Sequence, residues 1–102
     1  MVTHIVLMNL HDTNDCDFVS KQVHSLAGRV PGLSEVRGGS SVVQSKTTWD
    51  LGFVMQFTDE NSVLNYQTHP AHIVVAGHIK EKIREMATCD LADNSFASNT
   101  SH

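Results

Sequence analysis

The chain has 102 residues, 40% of them hydrophobic and 18% charged, with seven Lys/Arg against eleven Asp/Glu and a formal net charge of −4. That length supports one domain burying roughly two-thirds of its unfolded surface, and the composition excludes wholesale disorder. The basic residues are scattered, with no basic stripe interleaved with aromatics, so nucleic acid is not an expected partner.

Cys16 and Cys89 are isolated thiols without CxxC spacing, which reads as two free, structural cysteines in a reduced, cytoplasmic protein. The opening Met1-Val2-Thr3-His4 lacks the basic region of a signal peptide. No segment approaches the ~20 apolar residues of a membrane span, so no membrane partner is expected.

Thr3 to Leu10 is rich in β-branched and aliphatic residues and reads as a strand. Ile5, Leu7 and Asn9 point one way, and His4, Val6, Met8 and Leu10 the other. Both faces are mostly apolar, so both should be covered. A polar turn from His11 to Asp15 supplies helix caps. A helix then runs to about Val30 on the stripe Val19, Val23, Leu26, Val30, until Pro31-Gly32 ends it.

Leu33 to Val43 reads as a strand bulged or bent at Gly38-Gly39. Trp49 to Thr58 is the strongest strand, with Leu51, Phe53, Met55 and Phe57 alternating against Asp50, Gly52, Val54 and Gln56. Asp59 to Ser62 caps a short helix over Val63 to Gln67. A second helix is expected from Pro70 to about Met86, with Ile73, Ala76 or Gly77, Ile79 or Lys80, and Ile83 facing inward. Ala87 to Ala92 closes the pattern as a short strand, and Asp93 to His102 reads as a disordered Ser/Asn-rich tail.

The centre of this organisation is Tyr66-Gln67-Thr68-His69-Pro70-Ala71-His72, which contains the only Tyr. Pro70 pushes His69 out of the α region and starts a helix in its own first turn. Tyr66 and His72 therefore come from two helical pieces joined at a corner, which can aim both into one cavity.

The order β-α-β-β-α-β is the split βαβ arrangement, a ferredoxin-like α+β sandwich with both helices on one face of four antiparallel strands. The other face is expected to present apolar residues such as Val6 and Met8 to nothing within the monomer. Two such sheets packed face to face would bury them, giving a homodimer with a barrel between subunits.

His4-Ile5-Val6-Leu7-Met8, the strand Trp49 to Phe57, the Tyr66 to His72 segment and Asp90 occur in an order that resembles the stress-responsive dimeric α/β-barrel (Dabb) family, over about residues 2 to 92. Most of that family has no assigned activity. One branch, the plant polyketide cyclase that makes olivetolic acid, closes a linear tetraketide thioester by an intramolecular aldol condensation without a cofactor. The resemblance implies His72 as general base and Tyr66 as its assistant, with His4 and Asp90 lining the same pocket; Val6, Met8 and Trp49 are further candidates for supporting the cavity. The cyclase has a further pocket histidine in its third strand, where this chain has Leu51, so the same substrate is not implied.

Each of these residues also has a structural reading. A histidine base suits proton abstraction because its ordinary titration lies nearest neutral pH. The structural reading of His72 is that it caps and fixes the helix corner with its ring bonded to Asp90 or Tyr66. Tyr66 could donate to a substrate carbonyl or anchor the corner. His4 could line the cavity or be a satisfied sheet histidine, and Asp90 could orient a histidine or be a strand-end acid. His69 reads as facing solvent or pinning the turn, His78 as exposed, and Cys89 as buried.

His4, His69, His72 and Asp90 are potential metal ligands, but His69 and His72 straddle the proline turn and lack the i, i+4 spacing of a helical zinc pair. No metal and no cofactor are expected. Three functions stay open: a cavity protein for an apolar or aromatic, polyketide-like ligand, with cofactor-free cyclase or lyase chemistry; a non-enzymatic stress-responsive dimer with a structural corner; and a cofactor-free monooxygenase-like barrel.

Overall fold

A computed structural model describes residues 1–92. Four strands, β1 (Val2–Leu10), β2 (Leu33–Ser40), β3 (Leu51–Phe57) and β4 (Ile83–Ala92), form one antiparallel sheet in the order β2-β3-β1-β4. Three helices complete the order: α1 (Cys16–His24), α2 (Glu60–Thr68) and α3 (Pro70–Ile79). This is the ferredoxin-like α+β fold expected from the sequence. The expected tail from Asp93 to His102 lies outside the described residues.

Strand alternation decides the layers. On β1, Val2, His4, Val6, Met8 and Leu10 are buried, and on β3 so are Leu51, Phe53, Met55 and Phe57. These side chains meet Val19, Val23, Leu26, Val63, Val75 and Ile79 in the core. The bare face of the sheet is therefore not the one expected. Val6 and Met8, at 6% and 5% exposure, lie on the inner side with the core. Ile5 and Leu7, paired with Val54 and Gly52 of β3 and with Cys89 and Ala87 of β4, occupy the opposite face. Both faces of β1 are apolar, but only the inner phase continues into Phe53 and Phe57, whose bulk needs the helices above it.

Element ends also move, each for a local reason. The first helix stops at His24 because the chain continues in tight turns, with Leu26 N–H bonded to the Val23 carbonyl and Gly28 at φ +76°. Leu26 and Val30 stay buried without being helical. β2 ends at Ser40, where the Ser41 N–H donates to the Asp50 carbonyl and leaves Val42 and Val43 exposed in the loop. Its ladder shift falls between Leu33 and Glu35, while the strand runs on through Gly38 at φ +127°.

α2 begins at Glu60, one turn before the sequence suggests, because the Asp59 carboxylate accepts from the Ser62 N–H at 2.8 Å. That bond and a second from the Ser62 hydroxyl hold the Asp59 carboxyl below its ordinary range. α3 ends at Ile79 rather than near Met86. A 3-10 turn over Lys80–Lys82 follows, and Ile83 enters β4 opposite Leu10. The inner stripe of α3 is Ala71, Val75 and Ile79, with Ile73 exposed. Apolar residues surround this helix almost completely, so periodicity alone could not choose its phase. Among the described residues, no helix is long and apolar enough to cross a membrane.

Candidate functional site

The corner between α2 and α3 is built from backbone bonds around His69. Its φ of −66° and ψ of 136° are the extended geometry that a following proline imposes. Its N–H donates to the Tyr66 carbonyl at 3.1 Å, and its ring Nδ1 accepts from the Ala71 N–H at 3.1 Å. His69 thus closes one helix and caps the next, pinning the turn.

His72 lies half-buried in the first turn of α3, with its ring 4.3 Å from that of Tyr66 between centroids. Its Nδ1 bonds the Gln67 carbonyl at 3.1 Å. A carbonyl only accepts, so Nδ1 carries the hydrogen and the neutral ring keeps its lone pair on Nε2. Asp90 and Tyr66, the bonding partners considered for His72, do not take that role.

Asp90 instead holds His4. The two residues face each other across the β1–β4 ladder, and His4 Nδ1 lies 2.6 Å from Asp90 Oδ1. A carboxylate at this distance fixes the ring and leaves its Nε2 free of that contact. His4 is therefore both a lining residue and a bonded sheet histidine. Its ring centroid lies 6.0 Å from Tyr66 and 6.1 Å from Phe57, edge-on to both.

Tyr66 is buried among these rings at 6% exposure. Burial pushes its hydroxyl pKa up to about 12, so it remains a neutral donor at physiological pH. Among the described residues, no side chain or backbone group hydrogen-bonds that hydroxyl.

These groups open on a cavity of about 300 Å³ between the sheet and the helices. His72, Tyr66, His4, Asp90, Val6 and Met8 all line it. Trp49 does not. It sits half-buried in the loop before β3, where its carbonyl accepts from the Ser41 hydroxyl and closes the β2–β3 hairpin. Leu51, which stands where the cyclase has a histidine, is fully buried and does not line the cavity.

Sequence reasoning missed Gln67, Ile79, Ile83, Met86 and Thr88 as lining residues. Starting β4 at Ile83 would have put Met86, Thr88 and Asp90 on one face by simple alternation.

Cys89 is exposed rather than buried, on the outer sheet face opposite Ile5. Cys16 is half-buried, and desolvation raises its thiol pKa, which works against a thiolate nucleophile. His78 is exposed, as expected, with Nδ1 bonded to the Gln22 side chain. No group of three or more His, Cys, Asp or Glu among the described residues has the geometry to hold a metal ion.

The sequence model of the stress-responsive A/B barrel domain matches residues 2–93. The chain belongs to that family. No match was found among curated proteins. Among solved structures, this A/B barrel domain is similar to a dimeric ferredoxin-like protein of unknown function from Thermobifida fusca, with TM-score 0.77, 21% identity and 89% of each chain covered. It is similar to the hydroxynitrile lyase of Passiflora edulis, with TM-score 0.78, 14% identity, and 94% of this chain and 96% of that one covered. It is also similar to SnoaB, a cofactor-independent oxygenase of Streptomyces nogalater, with TM-score 0.71, 11% identity, and 93% and 94% covered. At these identities the likeness speaks for the fold alone.

Proposed function

We propose that this barrel domain binds a small, largely apolar or aromatic, polyketide-like carbonyl compound and catalyses a cofactor-free lyase or cyclase step. His72 Nε2 is the base, and the Tyr66 hydroxyl donates to the carbonyl on which charge develops. The His4–Asp90 pair supports that end of the cavity. The observation that carries this reading is the His72 bond to the Gln67 carbonyl, which leaves a basic nitrogen on a ring lying tilted, at 43°, against a buried, neutral tyrosine. The similarity to a hydroxynitrile lyase and to a cofactor-independent oxygenase supports chemistry of this kind in this fold.

The test is a screen of wild type against His72→Ala for cyanohydrin cleavage and for aldol cyclisation of a linear polyketide thioester. Turnover by the wild type that the variant loses at unchanged melting temperature supports the proposal. An oxygenase reading would need oxygen consumption with an electron-rich aromatic substrate. A non-enzymatic reading is favoured by one observation: the His69 and His72 rings both bond backbone atoms of the corner, as purely structural residues would.

The functional unit in this proposal is a homodimer in the cytoplasm, without nucleic-acid or membrane partners. Ile5, Leu7, Val54 and Leu91 lie on the outer sheet face, and similar structures are described as dimeric. Packing two such faces together would bury an apolar surface that water otherwise covers. Two free cysteines suit a reducing compartment.

A further inference from the structure

The cavity floor is a short ladder with a chemical gradient. Three rungs of the β1–β4 pairing face inward: His4 with Asp90, Val6 with Thr88, and Met8 with Met86. Successive inward residues stand about 6.6–6.8 Å apart along a strand, so the floor runs roughly 13 Å from the polar rung to the methionine rung. The helical roof has the same polarity, with Tyr66 and His72 at one end and Ile79 towards the other. β4 is an edge strand, and Met86, Thr88 and Asp90 are all exposed, so the cavity opens along that edge.

Among the described residues the lining contains no Lys or Arg, and its one carboxylate is already held by His4. An anionic ligand would find no permanently charged cation there, only two histidines already bonded through Nδ1, and a cationic one only a carboxylate that is already taken. An uncharged, chain-like molecule fits both the charge and the shape. Half-way along the floor stands Thr88, whose hydroxyl has no hydrogen-bond partner among the described residues and whose cross-strand neighbour is the apolar Val6. It is the polar group that interrupts an otherwise apolar stretch between the polar and methionine rungs.

The geometry points to Thr88 as a specificity-determining residue that selects uncharged carbonyl chains bearing a second oxygen part-way along. The reacting carbonyl sits against Tyr66 and His72, the apolar end against Met8 and Met86, and the Thr88 hydroxyl donates to the second oxygen. This rests on the small-molecule reading above and adds to it the direction of the ligand and the group that reads it. A threonine hydroxyl left unpaired by the protein rewards a ligand oxygen and gives an all-methylene chain nothing in return.

The test is calorimetric titration of the full chain with 2-hexanone, 2-decanone and decane-2,6-dione. Wild type should bind 2-decanone more tightly than 2-hexanone, by about two- to fourfold per added methylene. Thr88→Val, nearly isosteric and suited to a strand, should weaken the dione by about three- to tenfold and leave 2-decanone unchanged. Thr88→Ser should restore dione binding, and Met86→Glu should weaken 2-decanone more than 2-hexanone. If Thr88→Val moves both decane probes alike or neither, or if chain length makes no difference, the inference is overturned while the cavity reading stands. If wild type binds none of the three, both fall.

Discussion

Asp90 belongs to His4, not to His72: its Oδ1 lies 2.6 Å from His4 Nδ1 across the β1–β4 ladder. Two histidines therefore face the cavity in different states of restraint, one held by a carboxylate and the other by a backbone carbonyl. Tyr66 stands between them, 6.0 Å from one ring and 4.3 Å from the other. The difference separates their roles. His4 is fixed by a charged partner, whereas His72 combines a defined tautomer with a partner that cannot take a proton.

Removing the carboxylate should release His4 and leave His72 untouched. In Asp90→Ala, nitrogen chemical shifts of His4 should lose the signature of a protonated, hydrogen-bonded Nδ1, while those of His72 keep theirs. A matching change at His72 would mean that Asp90 orients the other ring after all.

Tyr66 is the only tyrosine, so its ionisation can be followed directly by ultraviolet absorbance. With its pKa pushed up to about 12, the folded protein should show no tyrosinate at pH values where free tyrosine, near 10, is half ionised. The unfolded chain then binds fewer protons than the native one between those values. Stability from this group should be fully present below pH ~10 and be lost as pH rises towards 12. An absorbance midpoint near 10 in the native protein would mean that the hydroxyl is open to water.

His72→Ala deletes one hydrogen bond to a backbone carbonyl at a half-buried site. A stability loss of about 0.5–1.5 kcal/mol is expected, together with complete loss of turnover. Chemical denaturation measured beside activity checks both. A loss of several kcal/mol, with no activity in the wild type to lose, would favour the structural corner.

The two faces of β1 should respond oppositely to charge. Leu7→Asp, on the outer face, should yield a folded monomer by light scattering. Val6→Asp, at 6% exposure in the core, should cost several kcal/mol because it buries an unpaired carboxylate. A wild type that is itself monomeric at micromolar concentration would end the shared-barrel proposal.

Gly38 holds φ +127°, and a Cβ there would lie 2.1 Å from the Gly52 carbonyl oxygen. Gly38→Ala should destabilise by at least ~1–3 kcal/mol, since an L-residue is strained at that φ and the clash is with backbone. Thermal melts would show it. A neutral effect would require β2 and β3 to part at that rung without cost.

The contrast between Gly38 and Val6 shows what a linear chain makes legible. Gly38 announces a backbone angle that only glycine tolerates freely, although the ladder stays in register there and its shift falls between Leu33 and Glu35 instead. His69-Pro70 announces a helix corner for a similarly local reason. The family pattern drew attention to His72, Tyr66, His4 and Asp90, all of which line one cavity. It also brought in Trp49, which closes the β2–β3 hairpin instead.

What the sequence determined by itself was the order of elements, the sandwich fold and the proline corner, because each follows from local backbone preference or side-chain periodicity. The tertiary structure decided the rest. It chose which apolar face of β1 the helices cover, turned the uniformly apolar α3 onto Ala71, Val75 and Ile79, and began β4 at Ile83. It also paired Asp90 with His4 rather than His72. These choices compare alternatives that look alike along the chain and differ only in what lies across from them. That comparison exists only once the sheet is assembled and the helices are packed on it.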